Sequence, residues 1–272
     1  MDKRNIDEIE FTIFDTETTG LNPQSGDRIV EIAGIKFKGN ERAETFQSLV
    51  NPGRPVSAAA FAVNGITQEM LRDAPPASEV IPKFLDFIGE SCLCSYNAAF
   101  DQGFLHNELK LLEIGLPANA VADILKISRR LLPGLERYSL RYVADSLGIK
   151  NEQKHRALSD VELTLDVFGR LKEILALKGI EGFANFMCLF GINCVLLEDI
   201  NNQRLARLQE AIDLQVRLKI KYLSGLATVS EREVIPMEIR QEKNRNYLVG
   251  HCCLRNEQRT FRVDGILHFE II

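Results

Sequence analysis

Apolar residues alternate or run together over positions 9–14 and 29–37, and the turn-forming Asn22-Pro23-Gln24-Ser25-Gly26 parts the two runs. A third run, 45–50, stops at Asn51-Pro52-Gly53. Three successive strands on short connections predict an antiparallel meander. Val80, Phe84, Phe87 and Ile88 then recur at the helical period, 92–96 is a short apolar strand, and Phe100, Phe104, Leu105, Leu109 and Leu112 form a second helical stripe. Leu140, Val143, Ala144 and Leu147 predict a helix from Tyr138 to a C-cap at Gly148, and a last helix runs from about Arg156 to Leu177. A meander followed by β-α alternation predicts an α/β fold, a mixed sheet with flanking helices.

Farther along, the helical pattern fades. Residues 176–205 hold Gly182, Gly191, Asn193 and the polar Glu198-Asp199-Ile200-Asn201-Asn202, and read as a partly helical linker. From 206 to 272 the texture is β. Short runs at 218–223, 233–239, 247–254 and 266–272, punctuated by Ser224-Gly225, residues 244–246 and Asp264-Gly265, predict a small, separate, mostly-β domain.

Composition narrows the class without changing this outline. A chain of 272 residues with 45% hydrophobic and 26% charged positions is an ordinary globular protein, which excludes disorder, collagen-like repeats and coiled coil as global descriptions. The formal net charge of -5 argues against a protein that grips nucleic acid by bulk positive charge, though not against an enzyme acting on it. The acidity sits early: 19 basic and 25 acidic residues up to residue 170, and 14 and 13 beyond it. Residues 1–10 lack the apolar core of a signal peptide, and no run of about 18 apolar residues could span a bilayer, so the chain is read as cytoplasmic with no membrane partner. The six cysteines fall as Cys92/Cys94, Cys188/Cys194 and Cys252/Cys253, which matches neither a CxxC zinc pair nor a disulfide framework. They are read as reduced buried thiols, with a zinc site recruiting His251 as the alternative.

Charge becomes informative where acids interrupt apolar pattern. In Phe11-Thr12-Ile13-Phe14-Asp15-Thr16-Glu17-Thr18-Thr19-Gly20, Asp15 and Glu17 are two apart on a strand and project to one side as it ends. Such a pair also suits a solvated turn. In Ser95-Tyr96-Asn97-Ala98-Ala99-Phe100-Asp101 a strand hands over to a helix, with Asn97 as a candidate N-cap. Asp101 stands above Phe104 and Leu105 on the inward face, although an acid there also complements the helix dipole. In His155-Arg156-Ala157-Leu158-Ser159-Asp160, Asp160 lines up with Leu163, Thr164, Val167 and Leu171. His155, five residues earlier, reaches the same spot only from the preceding loop; a histidine at a helix start is otherwise a cap or surface residue. Four inward acids in one pocket repel by roughly 4 kcal/mol for each pair 4 Å apart at an effective dielectric near 20. Divalent metal answers that repulsion. All-oxygen ligands select Mg²⁺ or Mn²⁺ over zinc, and two such ions are the apparatus for displacement at phosphorus.

The ordered set Asp15-Thr16-Glu17, Asn97-x-x-Phe100-Asp101 and His155-x-x-x-x-Asp160 resembles the DEDDh family of 3′→5′ exonucleases, and within it the proofreading exonuclease of bacterial DNA polymerase III. Arg28-Ile29-Val30-Glu31-Ile32-Ala33, Asn64-Gly65-Ile66-Thr67 and Tyr138-Ser139-Leu140 support the match, which covers about residues 8–175. The resemblance implies a ribonuclease H-like fold. It also implies that Asp15, Glu17, Asp101 and Asp160 hold two Mg²⁺ or Mn²⁺ ions, and that His155 is the general base in the release of nucleoside 5′-monophosphates from a 3′ end. Thr16, Thr18, Thr19, Gly20 and Asn64 would line the terminal nucleotide, with Asn97 and Phe100 as pocket wall. The family usually carries His where this chain has Asn64. Lys126, Arg129, Arg130, Arg137, Arg141, Lys150, Lys154 and Arg156 are expected to form a basic rim beside the pocket.

The C-terminal part, through residues 212–222, Ser230-Glu231-Arg232-Glu233-Val234-Ile235-Pro236, Tyr247-Leu248-Val249 and Phe261-Arg262-Val263-Asp264, resembles a WYL domain. Gly265 stands where that family commonly has Arg. Tyr222, Arg240, Tyr247 and Arg262 are its candidate contacts. The function expected is exonuclease action on single-stranded or frayed DNA 3′ ends in repair or proofreading, with a polymerase or repair protein as partner. RNA or short oligoribonucleotides are the alternative substrate. A regulator that binds nucleic acid and responds to a ligand through the WYL-like domain is the alternative from another class.

Overall fold

The computed structural model describes residues 4–150, 155–192, 195–243 and 245–272. β1 (Glu10–Thr18), β2 (Ile29–Lys38) and β3 (Glu41–Leu49) form the antiparallel meander. The chain passes through α1 (Ala58–Asn64), α2 (Gln68–Arg72) and α3 (Ala77–Ile88) to β4 (Cys92–Ser95), which lies parallel to β1. After α4 (Ala98–Leu111) comes β5 (Val121–Asp123), parallel to β4. Then follow α5 (Ile124–Leu131), α6 (Leu140–Ser146), α7 (Ala157–Leu177) and α8 (Phe183–Phe190), and β6 (Gly191–Ile192) closes the sheet antiparallel to β5. The order across this mixed sheet is β3-β2-β1-β4-β5-β6.

The period of two along β1 divides the core. Phe14 joins a cluster with Ile29, Ile32, Phe84 and Phe104, on the side of α3 and α4. Phe11 and Ile13 face the other way, into a cluster with Ile35, Phe37, Val167, Phe168 and Phe186 from β2, α7 and α8. Asp15 and Glu17 continue the row of Phe11 and Ile13, so they leave the apolar core on the side where α7 begins.

The stretch expected to be a linker is largely ordered and packed. α8 is apolar on nearly every side, and its Phe186 ring meets Phe11, Phe168 and Phe190 at centroid distances of 5.9, 6.0 and 5.5 Å. An all-apolar helix has no periodic contrast to read, which hides it from sequence. Phe186→Ala is expected to cost about 3–5 kcal/mol of stability in a denaturant titration, the usual range for a fully buried phenylalanine; a cost below about 1 kcal/mol would show that α8 does not close the core.

α9 (Val195–Asp213) begins inside the same stretch and buries Leu208 and Ala211 on the second sheet, a cluster that includes Leu218, Val234, Leu248 and Phe261. β7 (Leu218–Leu223), β8 (Val229–Glu242), β9 (Arg245–Cys252), β10 (Glu257–Arg262) and β11 (Ile266–Ile271) are antiparallel in the order β10-β9-β8-β7-β11. Arg204 interrupts the buried stripe of α9, its guanidinium donating to Asn185 Oδ1 at 3.0 Å. The two sheets are tied by cations on carbonyls: Arg130 donates to Leu223 O at 2.8 Å and Lys178 to Ala227 O at 2.6 Å. A Cβ at position 265 would stand 2.9 Å from the Tyr222 ring and 3.0 Å from Leu223 O, so Gly265 allows the close approach to the end of β7. Among the described residues no helix is long and apolar enough to cross a membrane. Cys92, Cys94, Cys188 and Cys252 are buried thiols and Cys253 is half-buried; Cys194 lies outside the described residues.

Candidate active site

Three elements deliver the acids. β1 ends with Asp15 and Glu17 on its α7 side, and α7 starts with Asp160 in its first turn. One ligand oxygen from each of Asp15, Glu17 and Asp160 lies within 4.8 Å of the other two, the sole such group of three or more His, Cys, Asp or Glu among the described residues. His155 stands two residues ahead of α7, half exposed, with Nδ1 3.9 Å from Asp160 Oδ2. Its backbone is left-handed, at φ 49°.

Asp101 enters the same cleft from α4 but stands outside that group of three. Its Oδ1 accepts from the Thr16 amide (2.9 Å) and hydroxyl (2.8 Å), and its Oδ2 from Ser95 Oγ (2.7 Å). Thr16, expected on the nucleotide, therefore directs both its donors at Asp101.

The electrostatics match crowding without an answering charge. Burial, then the charges of Asp101, Asp160, Glu17 and Glu31, push Asp15 well above the usual carboxylate range. Burial, with Asp160 and Glu31, pushes Glu17 up to about 8, while a hydrogen bond from Asn64 opposes the rise. Burial raises Asp101 to about 6 against the hydrogen bonds from Ser95 and Thr16. An all-carboxylate donor set with such proton affinity fits a hard divalent cation, which would take the place of the protons.

The cleft is about 630 Å³, and Thr18, Gly20, Asn64, Asn97 and Phe100 line it, as do Leu21, Val63 and Tyr96, which sequence reasoning did not single out. Thr19 does not line it: it is buried, donates to Asp27 Oδ1 at 3.1 Å and accepts from the Arg28 amide at 3.1 Å. The strand parity that aims Asp15 and Glu17 outward gives no information past its end at Thr18. Gly20 is glycine because a Cβ would collide with the Asp27 carboxylate. Asn64 is a fastener: its amide donates to Thr18 O (3.3 Å) and its oxygen accepts from the Ile66 amide (3.0 Å). Asn97 occupies the N-cap position of α4 at φ 71°, but its side chain makes no capping bond and is exposed to the cleft.

The expected basic rim is thinner in the structure. Arg156 turns inward to Glu31, with Nε–Oε2 2.9 Å and Nη2–Oε1 2.7 Å. Lys126 donates to Gly191 O at 3.0 Å, Arg130 to Leu223 O, and Arg141 pairs with Asp145 at 3.2 Å. Arg129, Arg137 and Lys150 remain exposed, and Lys154 lies outside the described residues. Glu31 itself was missed. Its signal is a single acid inside the apolar run Ile29 to Ile35, since a charge buried in a strand needs a partner.

On the second sheet Arg240, Tyr247 and Arg262 are lateral neighbours on β8, β9 and β10. Each arginine has a local acid: Arg240 pairs with Glu238 and Glu242, and Arg262 with Asp264. Tyr222 packs edge-on against Phe261, and its hydroxyl accepts from the Arg262 amide at 3.3 Å. His251 Nε2 lies 3.2 Å from Asn256 Oδ1.

A family model described as exonuclease matches residues 12–168, and a model of the WYL domain matches residues 203–271. The DNA polymerase III PolC-type protein of Caldanaerobacter subterraneus subsp. tengcongensis is 32% identical over 255 residues, 91% of this chain and 18% of that protein. Its counterpart in Bacillus subtilis is 38% identical over 65% of this chain and 12% of its own length. A DNA polymerase III subunit epsilon-like protein of Rhodobacter capsulatus is 37% identical over 72% of this chain and 28% of its own. The chain thus spans 12–28% of the length of these relatives. Among solved structures, exonuclease X in complex with 5′ overhanging duplex DNA aligns at 26% identity and a TM-score of 0.51, over 70% of this chain and 98% of its own. Exonuclease I of E. coli in complex with a dT13 oligonucleotide aligns at 19% identity and a TM-score of 0.58, over 89% and 55%. At that identity the second likeness concerns the fold alone, which is ribonuclease H-like.

Proposed function

We propose, for a chain that belongs to the exonuclease family and carries a WYL domain behind its nuclease part, the activity of a metal-dependent 3′→5′ exonuclease on single-stranded or frayed DNA ends. The observation that carries this is the meeting of Asp15, Glu17 and Asp160 within 4.8 Å at the end of β1, with His155 at the mouth. DNA is the preferred substrate because the relatives are named as DNA polymerases and exonuclease X was solved on DNA.

Asp15, Glu17 and Asp160 would hold Mg²⁺ or Mn²⁺, two ions in all, with Asp101 adding its charge from the cleft wall. When bound, the ions supply the Lewis acidity that neutralises the scissile phosphate and acidifies the attacking water. His155 takes the proton of that water. Its Nδ1 is on the Asp160 side, which leaves Nε2 as the accepting atom. Leu21, Val63 and Phe100 give the terminal base an apolar seat. We assign the nuclease to residues 8–175, the connection to 176–205 and the WYL-like module to 206–272. A cytoplasmic location and a polymerase or repair partner complete the proposal.

The test is degradation of matched 3′-labelled DNA and RNA oligomers with Mg²⁺. Release of labelled 5′-monophosphate from DNA at a rate at least about tenfold above RNA, 1.4 kcal/mol in the barrier, is expected. A preference of that size for RNA would overturn the substrate, and no Mg²⁺-dependent release from either would overturn the activity.

A further inference from the structure

We propose that Glu31 is a positioning residue of the nuclease site and acts through His155. This role presupposes the exonuclease activity proposed above and adds a residue to it. Glu31 sits on β2 directly across from Glu17, so its side chain shares the face of Asp15 and Glu17 and it is a further acid beside the metal-binding group. It is fully buried, yet it takes no part in that group. Its oxygens are already committed. Oε2 accepts from Arg156 Nε (2.9 Å) and from the Ala157 amide (3.1 Å), and Oε1 accepts from Arg156 Nη2 (2.7 Å) and Gln47 Nε2 (3.0 Å). Two bonds on each oxygen leave no oxygen free to coordinate a cation, so Glu31 is a clamp and not a ligand.

The clamp grips the segment on which the base depends. Arg156 is the N-cap residue of α7 and makes no side-chain capping bond; Glu31 caps the helix from the neighbouring strand instead, through the Ala157 amide. His155 is the residue joined to Arg156, and it holds a left-handed backbone, φ 49°, a conformation uncommon outside glycine. The bidentate fork of Arg156 fixes both distance and plane on that side of His155. Asp160, in contrast, is carried by the helix itself.

The full chain with Mg²⁺ and a 3′-labelled single-stranded DNA tests this by a double-mutant cycle. Glu31→Ala is expected to lower kcat about 10²-fold, the effect of roughly 1 Å of misplacement, with KM within about threefold. In a His155→Ala background the same change is expected to lower kcat less than about threefold, because the residue it positions is gone. Arg156→Lys, which keeps the charge and loses the fork, is expected to fall between, at about tenfold, and carries the same cycle if Glu31→Ala does not fold. A full loss persisting in the His155→Ala background would overturn the role, as would a tenfold rise in the Mg²⁺ needed for half activity. Amide exchange gives a readout apart from activity: Ala157 should exchange faster in Glu31→Ala. If the unaltered chain degrades no nucleic acid, the exonuclease proposal fails, and unchanged protection at Ala157 separately overturns the clamp.

Discussion

Asp15→Asn is expected to remove nuclease turnover by about 10³-fold or more while raising the melting temperature of the metal-free chain. The activity term follows from the place of Asp15 in the carboxylate group: a cation held there provides several kcal/mol of charge stabilisation in the transition state, and each 1.4 kcal/mol is tenfold in rate. The stability term has the opposite sign. Asp15 is pushed far up by burial and by four neighbouring acids, so its ionised form works against the fold when no cation is present. Asparagine keeps the shape and removes the charge. Each kcal/mol recovered is worth about 2–4 °C in a chain of this size. Turnover within threefold of the unaltered chain, or a lower melting temperature in EDTA, would contradict the placement of Asp15.

Melting of the metal-free chain is expected to fall as pH rises from 5 to 8, and Mg²⁺ is expected to reverse the trend. Glu17 at about 8, Asp101 at about 6 and the raised Asp15 all hold protons more tightly folded than unfolded. Their contribution is complete below the ordinary carboxylate range near 4 and is lost as pH rises through 6 and 8. Glu31 runs the other way. Its pKa is lowered by Arg156, Gln47 and the Ala157 amide in spite of burial, so its contribution is present above that range and is lost on acidification below it. A divalent ion requires the deprotonated ligands, so the rise in melting temperature on adding Mg²⁺ should be largest at pH 8. A melting temperature in EDTA that is flat or climbs between pH 5 and 8 would refute the carboxylate crowding.

Some of the site was legible because its residues obey a local period. Asp15 and Glu17 extend a row begun by Phe11 and Ile13, and Asp160 tops the stripe of Leu163, Val167 and Leu171. Other parts carry no such contrast. β5 and β6 are three and two residues long, too short for any alternation. β10 exposes Glu257, Gln258, Arg259 and Thr260 and buries Phe261, the polar pattern of an edge strand rather than of a core one. α9 has a stripe at Ile200, Leu208 and Ala211, broken by the buried Arg204. Thr19 was expected on the terminal nucleotide and Arg156 in the basic rim; Asp27, just across the following turn, takes the first, and Glu31, 125 residues away in sequence, takes the second.

By itself the sequence determined the two-part organisation, the meander with its β-α continuation, and which acids and histidine the proposed nuclease site would draw on. Periodicity suffices for the elements and for the facing of the acids, since it records which side of an element each residue faces, whereas His155 on its loop was legible only through the resemblance of its motif. Only the tertiary structure decided which acids meet and which are answered. Asp101 receives Thr16 from 85 residues away, and Glu31 receives Arg156 from 125 residues away. A buried charge takes its state from its nearest partners in space, and chain order holds no record of those partners until the sheet has brought the strand ends together.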